Sequence, residues 1–269
     1  MFSKKDVKWR LFLCPLYLLA SSFYSSLTLA STDCASDSYD KTTTVRYIHD
    51  GDTLHLGNGD KVRLIGINTP ELAHDDKVAE PFAKQAKNAL NALFEADKSI
   101  SLVFGEDKKD RYGRLLAHAF LNDGQNVQAL LLKQGYARSI IVPPNAKFTV
   151  CYLEMERIAR CNKAGLWKKT DIVQTAHLTN KDIGFHLFQG TINAIDINDK
   201  GIWLNLDNKL TVGIRPDNLE LFDIKAIIAM LNQVVIVRGW LNKSNRTTPF
   251  YLRLRHPASI QMFSTFSCD

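Results

Sequence analysis

The chain has 269 residues, with 34 Lys and Arg against 28 Asp and Glu and 45% hydrophobic residues. That composition excludes a disordered or collagen-like chain and leaves room for one or two domains with cores of their own. The net charge of +6 points toward an anionic partner only if the charges gather where a partner can meet them.

Residues 1–10 carry Lys4, Lys5, Lys8 and Arg10 against Asp6, an apolar run follows from Leu11 to Leu19, and Thr28-Leu29-Ala30 offers a small-residue cleavage site. This is the layout of a secretory signal peptide over 1–30, its apolar run falling short of the roughly 20 residues a bilayer span needs. Cleavage leaves 30 bases and 27 acids, and a protein expected to be exported, periplasmic or secreted. In an oxidising compartment Cys34, Cys151, Cys161 and Cys268 are candidates for two disulfides. Residues 149–163 read as a helix, which puts Cys151 and Cys161 roughly 15 Å apart and out of disulfide reach. Two connectivities stay open: 34–151 with 161–268, and 34–161 with 151–268.

Residues 31–41 are polar and read as loose. Alternation and β-branched residues predict strands over 43–49, 53–56 and 61–67, the last two joined by the turn Gly57-Asn58-Gly59-Asp60. A helix is predicted over 81–95, strands over 99–104 and 114–121, a short helix ending at Gly135, and a third helix packed through Val150, Leu153, Met155, Ile158 and Ala159. Short strands with inserted helices predict a small mixed barrel, an α+β fold. Residues 168–182 are polar and read as a linker. Beyond it the pattern is three strands (186–195, 201–206, 209–214), a helical stretch (217–231) and two strands (234–241, 250–255). That order predicts a second, smaller OB-like barrel over 183–264.

The residues with chemistry lie in 50–71 and 110–114. Asp50 and Asp52 sit in a Gly-containing segment whose oxygens suit a hard cation. Arg63 lies on the returning hairpin strand, Glu71 follows a Pro-containing turn, and Arg114 opens a strand after a basic, aromatic loop. Phosphoryl transfer wants this mixture: guanidinium forks on the developing charge, and a carboxylate to orient or deprotonate water. His49, His55, His74 and His118 share no spacing and read as strand or surface histidines, and Arg157 and Arg160 read as the solvated face of the third helix.

Residues 43–167 resemble the staphylococcal nuclease family. The resemblance runs through Val45-Arg46-Tyr47-Ile48-His49-Asp50-Gly51-Asp52-Thr53, Arg63-Leu64-Ile65-Gly66-Ile67-Asn68-Thr69-Pro70-Glu71 and Asp110-Arg111-Tyr112-Gly113-Arg114. It closes with Leu131-Leu132-Lys133-Gln134-Gly135-Tyr136-Ala137 and Gly165-Leu166-Trp167. It implies a five-stranded OB barrel with three helices over 41–169, and Ca²⁺-dependent endonucleolytic cleavage of DNA and RNA leaving 3′-phosphates. It further implies Asp52, Asn68 and the Thr69 carbonyl as Ca²⁺ ligands, and Glu71 as the group that activates water. Arg63 and Arg114 would hold the phosphate, and Arg111 and Tyr112 would contact the nucleotide. Asn68 stands where the motif usually has a carboxylate, so weaker Ca²⁺ binding is expected. Ile140-Ile141-Val142-Pro143-Pro144 is aliphatic where the resemblance would put stacking tyrosines.

Residues 224–268 hold six bases and no acid. Arg238, Lys243, Arg246, Arg253 and Arg255, with Trp240, Phe250 and Tyr251 among them, form a candidate nucleic-acid contact, against the alternative of a solubilising strand face. The rivals to an exported nuclease are a nucleic-acid-binding barrel without catalysis and a protein- or envelope-docking role for the second barrel.

Overall fold

The structure is a computed structural model that describes residues 34–73, 78–169, 172–245 and 247–268. The expected signal segment, His74 and Arg246 lie outside the described residues. Alternation builds the first sheet. In β3 (Lys61–Leu64) Val62 and Leu64 are buried while Lys61 and Arg63 face outward. β1 (Lys41–Ile48) pairs with β2 (Thr53–Leu56), and β2 with β3, across the predicted turn. A two-residue strand β4 (Ile67–Asn68) and helix α1 (Ala83–Ala92) lead to β5 (Ser99–Lys109) and β6 (Leu115–Phe120). β6 lies parallel to β3 and β5 pairs with β1, so the barrel closes in the order β1-β2-β3-β6-β5. Helix α2 (Val127–Lys133), strand β7 (Arg138–Ser139) and helix α3 (Thr149–Cys161) complete this half.

The segment read as loose is pinned. Cys34 is buried and bridged to Cys151, Asn126 Nδ2 donates to the Cys34 carbonyl, and Asp40 accepts from Phe104 N. Asn126 also caps α2, accepting from Ala129 N at 3.0 Å and from the Tyr152 hydroxyl at 3.2 Å. The Tyr152 hydroxyl in turn meets His118 Nδ1 at 2.8 Å, which makes His118 a core histidine. Val150 is exposed, contrary to expectation. The buried face of α3 is Tyr152, Glu156 and Ala159, because Glu156 is claimed by a partner from the second barrel.

Part of the expected linker is a strand, β8 (Ile172–Gln174), laid parallel on β9 (Gly184–Asn198). β10 (Gly201–Leu206) and β11 (Leu210–Ile214) follow. The helical stretch expected over 217–231 is broken. Pro216 opens a 3₁₀ turn over Pro216–Leu221, and Asp223 caps a separate short helix α4 (Ile224–Ile228) through the Lys225 and Ala226 amides. β12 (Val234–Lys243) pairs with both β9 and β13 (Phe250–Leu254), closing the ring β9-β10-β11-β13-β12. β14 (Ile260–Met262) and α5 (Phe263–Phe266) end the chain's regular structure. Third and fifth barrel strands are parallel in both rings, β3 with β6 and β11 with β13, so the two barrels share one OB-type topology.

The barrels are joined through α3. Arg238 of β12 donates to both Glu156 oxygens, at 2.8 and 3.0 Å, and to the Ser139 carbonyl at 3.0 Å. Ala159, Trp167, Leu187, Ile236 and Phe266 form a shared apolar cluster. Cys161 is bridged to Cys268, so the open choice of connectivity resolves to 34–151 with 161–268. Arg160 is not on a solvated face: its guanidinium lies 3.5 Å from the Phe266 ring centroid and donates to the Phe266 carbonyl. Arg157 does face solvent, paired with Glu154. Among the described residues no helix is long and apolar enough to cross a membrane.

Candidate active site

The turn from β1 to β2 sets the geometry. Asp50 Oδ1 accepts from Asp52 N at 2.9 Å, an Asx turn that folds the segment and points Asp52 inward. A Cβ on Gly51 would lie 2.7 Å from Thr69 Oγ1 and 2.8 Å from Ala86 Cβ, so glycine is what lets Thr69 close on this turn. Asp52 is buried. Its Oδ2 accepts from Thr69 N and Thr69 Oγ1, both at 3.0 Å, and pairs with Arg63 Nη2 at 3.1 Å. Among the described residues its Oδ1 accepts from Thr53 Oγ1, at 3.2 Å. Arg63 Nη1 donates to the Leu64 and Ile67 carbonyls at 2.5 and 3.1 Å, which locks the guanidinium between β3 and β4.

Burial pushes the Asp52 carboxyl up; Arg63 and the Thr69 donors oppose this, and Asp50 adds to it. Glu71 opens to solvent as a residue, yet packing around its carboxyl, followed by the charges of Asp52 and Asp50, raises its pKa above the usual carboxylate range. Glu80 braces it: Glu80 Oε2 accepts from Glu71 N, and Glu80 N donates to the Glu71 carbonyl. Sequence reasoning passed over Glu80, nine positions away across a loop.

Arg111, Tyr112 and Arg114 form a second cluster. Asp110 accepts from Arg114 Nε at 2.6 Å and from the Arg114 and Tyr112 amides at 3.0 and 2.9 Å. Burial alone would raise the Asp110 carboxyl, but these donors hold it below its ordinary value. The guanidinium carbons of Arg111 and Arg114 lie 4.8 and 5.7 Å from the Tyr112 ring centroid, and Arg111 Nη2 donates to the Tyr112 hydroxyl. Arg63 is opposite Leu116 in the parallel β3–β6 register, so Arg114 sits two positions back on the same outer face. Strand spacing and rise put the two arginine Cα atoms about 8 Å apart. Among the described residues the clusters around Asp52 and Arg114 share no hydrogen bond or ion pair.

Asn68 pairs in register with Arg138 of β7, a buried arginine that no motif singled out. Another juxtaposition unread from sequence lies on the β1–β2 face. His49 and His55, judged unrelated by spacing, have ring centroids 6.1 Å apart with Tyr47 against both and Lys87 Nζ 5.3 Å from the Tyr47 ring. Hairpin register, Tyr47 opposite His55, is the signal that could have found it.

Asp52, Asn68 and the Thr69 carbonyl, the ligands that the resemblance implies, carry oxygen donors of the type that suits a hard cation. The charge of Asp50 raises the Asp52 carboxyl, and the charges of Asp52 and Asp50 raise that of Glu71, with Arg63 opposing in both cases, a surplus of negative charge that a divalent ion would relieve. Among the described residues no three His, Cys, Asp or Glu side chains converge as ligands.

Of the five cations proposed for the second barrel, the four among the described residues are scattered. Arg238 is buried against Glu156 and is withdrawn from any nucleic-acid contact. Arg253 is tied to Asp217 and Asn218, and Arg255 and Lys243 are exposed. Strand alternation and the inter-barrel contact divide a sequence run of like charge between inside and outside.

The family described as staphylococcal nuclease homologue matches residues 61–169, which ends before β8. The thermonuclease of Staphylococcus intermedius is 31% identical over 143 residues, 52% of this chain and 82% of the relative. The SPbeta prophage-derived endonuclease YokF of Bacillus subtilis is 36% identical over 129 residues, 46% of this chain and 43% of the relative. The endonuclease YncB of the same organism is 34% identical over 129 residues, covering 60% of its length, so the chain spans about half the length of these two Bacillus proteins. With matching motifs, a matching barrel and most of one relative's length covered, this chain belongs to the staphylococcal nuclease family.

Proposed function

We propose that the protein is an exported nuclease that hydrolyses phosphodiester bonds of DNA or RNA at the Asp52–Arg63–Glu71 site, endonucleolytically and with Ca²⁺. The observation that carries this reading is the buried Asp52, tied to Thr69 and Arg63 beside a Glu71 whose pKa is raised. A carboxylate moved toward neutral pH is a better general base. Glu71 takes a proton from water as the water oxygen bonds to phosphorus. The P–O5′ bond breaks, the 5′ oxygen leaves and takes a proton from solvent to become a hydroxyl, Glu71 gives its proton back to solvent, and the phosphate stays on the 3′ side.

Arg63 and Arg114, side by side on one face, donate to the non-bridging oxygens as charge builds on them. Arg111 and Tyr112 hold the neighbouring nucleotide. Asp52, Asn68 and the Thr69 carbonyl would hold Ca²⁺, which when bound supplies positive charge to the phosphate. The printed names of the relatives, thermonuclease and endonuclease, favour the same chemistry. Two disulfides suit an oxidising compartment, which supports export. The joint presence of Arg63, Glu71 and Arg114 disfavours a purely binding role. Digestion of single- and double-stranded DNA and of RNA, with Ca²⁺ or chelator, tests the proposal, and absence of cleavage on every substrate would overturn it.

A further inference from the structure

The second barrel carries a concave face that the first barrel's chemistry does not use. Trp203 of β10 and Tyr251 of β13 stand on either side of β11, their ring centroids 6.3 Å apart and tilted by 44°. Gly213 of β11 lies beneath them. A Cβ there would come within 2.7 Å of Trp203 Cζ3 and 2.8 Å of Tyr251 Cε2, so the rings meet only over glycine. The Tyr251 hydroxyl oxygen is buried and has no hydrogen-bond partner among the described residues.

Beside the rings is a concavity of about 280 Å³ lined by Trp203, Tyr251, Thr211, Arg215, Lys243 and Asn245. A second hollow of about 330 Å³ continues past Trp203 and Thr211 toward Asn198 and Lys200, in the turn between β9 and β10. Together they run across the second and third strands of the barrel, between the loop joining strands one and two and the loop joining strands four and five. In OB-type barrels that face takes extended oligonucleotides or oligosaccharides.

We infer that this face is a second, non-catalytic site that binds a single strand of nucleic acid, with a base against Trp203 and Tyr251 and the phosphates along Arg215 and Lys243. Stacking on aromatic rings beside cations is how single strands are held without sequence preference. The first hollow has Arg215 and Lys243 and no carboxylate in its lining, and the second has Lys200 against Asp196, so the face as a whole is positive, which favours a polyanion over a neutral glycan. The inference rests on the nuclease reading for its choice of ligand, and it keeps Lys243 and Tyr251 of the C-terminal basic run while setting aside its arginines for Arg215 and adding Trp203. Catalysis by the first barrel would then act on a strand held at a second point, raising its local concentration.

The test uses the full chain in chelator, with a fluorescein-labelled 15-nucleotide oligothymidine followed by anisotropy at several salt concentrations. Trp203→Ala is expected to weaken binding about fivefold or more, the loss of one stacked base. Arg215→Gln with Lys243→Ala is expected to make the salt dependence shallower by about 0.7 per cation on a single strand. Both variants are expected to cleave a one-nucleotide chromogenic phosphodiester at the wild-type rate with Ca²⁺. If the wild type cleaves nothing while the binding differences persist, the nuclease reading fails and this one stands. Wild-type affinity and salt slope in the double cation variant, whose surface changes leave folding intact, would overturn it. So would binding of a chito-oligosaccharide that Trp203→Ala abolishes while oligothymidine binding is unchanged.

Discussion

Arg238 and Glu156 form a buried bidentate ion pair that links β12 of the second barrel to α3 of the first. Glu156 Oε2 also accepts from Ser139 N, and Ser139 sits in β7 opposite Ile67, next to Asn68. The second barrel therefore braces the short strand that carries the candidate ligand segment. Removing one partner strands a charge in the interior, so Arg238→Ala is expected to cost about 3–5 kcal/mol in urea unfolding. Arg238→Met with Glu156→Leu is expected to recover part of this and still lose about 1–3 kcal/mol, because the Ser139 amide is left unpaired. A single variant within about 0.5 kcal/mol of wild type would mean the barrels are held elsewhere.

His118 makes stability depend on pH. Burial drops its pKa from 6.5 to about 3. The unfolded chain then binds the proton that the folded chain refuses, so stability is complete above about pH 6.5 and declines as pH falls toward 3. The full span is worth about 4–5 kcal/mol. Chemical denaturation at pH 7 and pH 4 is expected to show a larger loss for wild type than for His118→Leu, and equal losses would contradict the assignment.

Each disulfide closes a long loop, with sequence separations of 117 and 107. Such loops carry much unfolded-state entropy, so replacing either pair by serines is expected to cost about 2–5 kcal/mol. Calorimetry checks this. The Cys161–Cys268 variant is also expected to loosen α5 from Arg160, seen as faster amide exchange over 260–268.

The cluster of Asp50, Asp52 and Arg63 was legible because these residues lie close in sequence on one hairpin. Asp50, Gly51 and Asp52 form a turn by local rules, and Arg63 follows on the returning strand. The second ring's strands were legible through alternation. What stayed hidden depends on contacts between distant elements. A charge says nothing of its partner, so Arg238 read as a surface cation until Glu156 was found beneath it. The same pair explains why α3 buries a glutamate and exposes Val150. The 217–231 helix failed because Pro216 and the Asp223 cap outweigh a periodicity that buries only Phe222 and Ile227 among the described residues. The Trp203–Tyr251 pair needed strand order, since β11 separates its members.

Asn68 gives the site a neutral oxygen where a carboxylate would add charge. Asn68→Asp is expected to tighten Ca²⁺ binding about tenfold, since ligand charge tunes affinity. Titration calorimetry with Ca²⁺ alone measures it, and unchanged affinity would remove Asn68 from the ligand set.

Glu71 as the base that activates water is the central claim. The direct measurement is the initial rate of Ca²⁺-dependent digestion of DNA and RNA by wild type and by Glu71→Gln, which keeps the shape and removes the base. The account expects chelator to abolish wild-type digestion, and Glu71→Gln to lose about 10²–10⁴-fold in rate with its fold intact. Full activity in Glu71→Gln, or digestion that chelator leaves untouched, would contradict it.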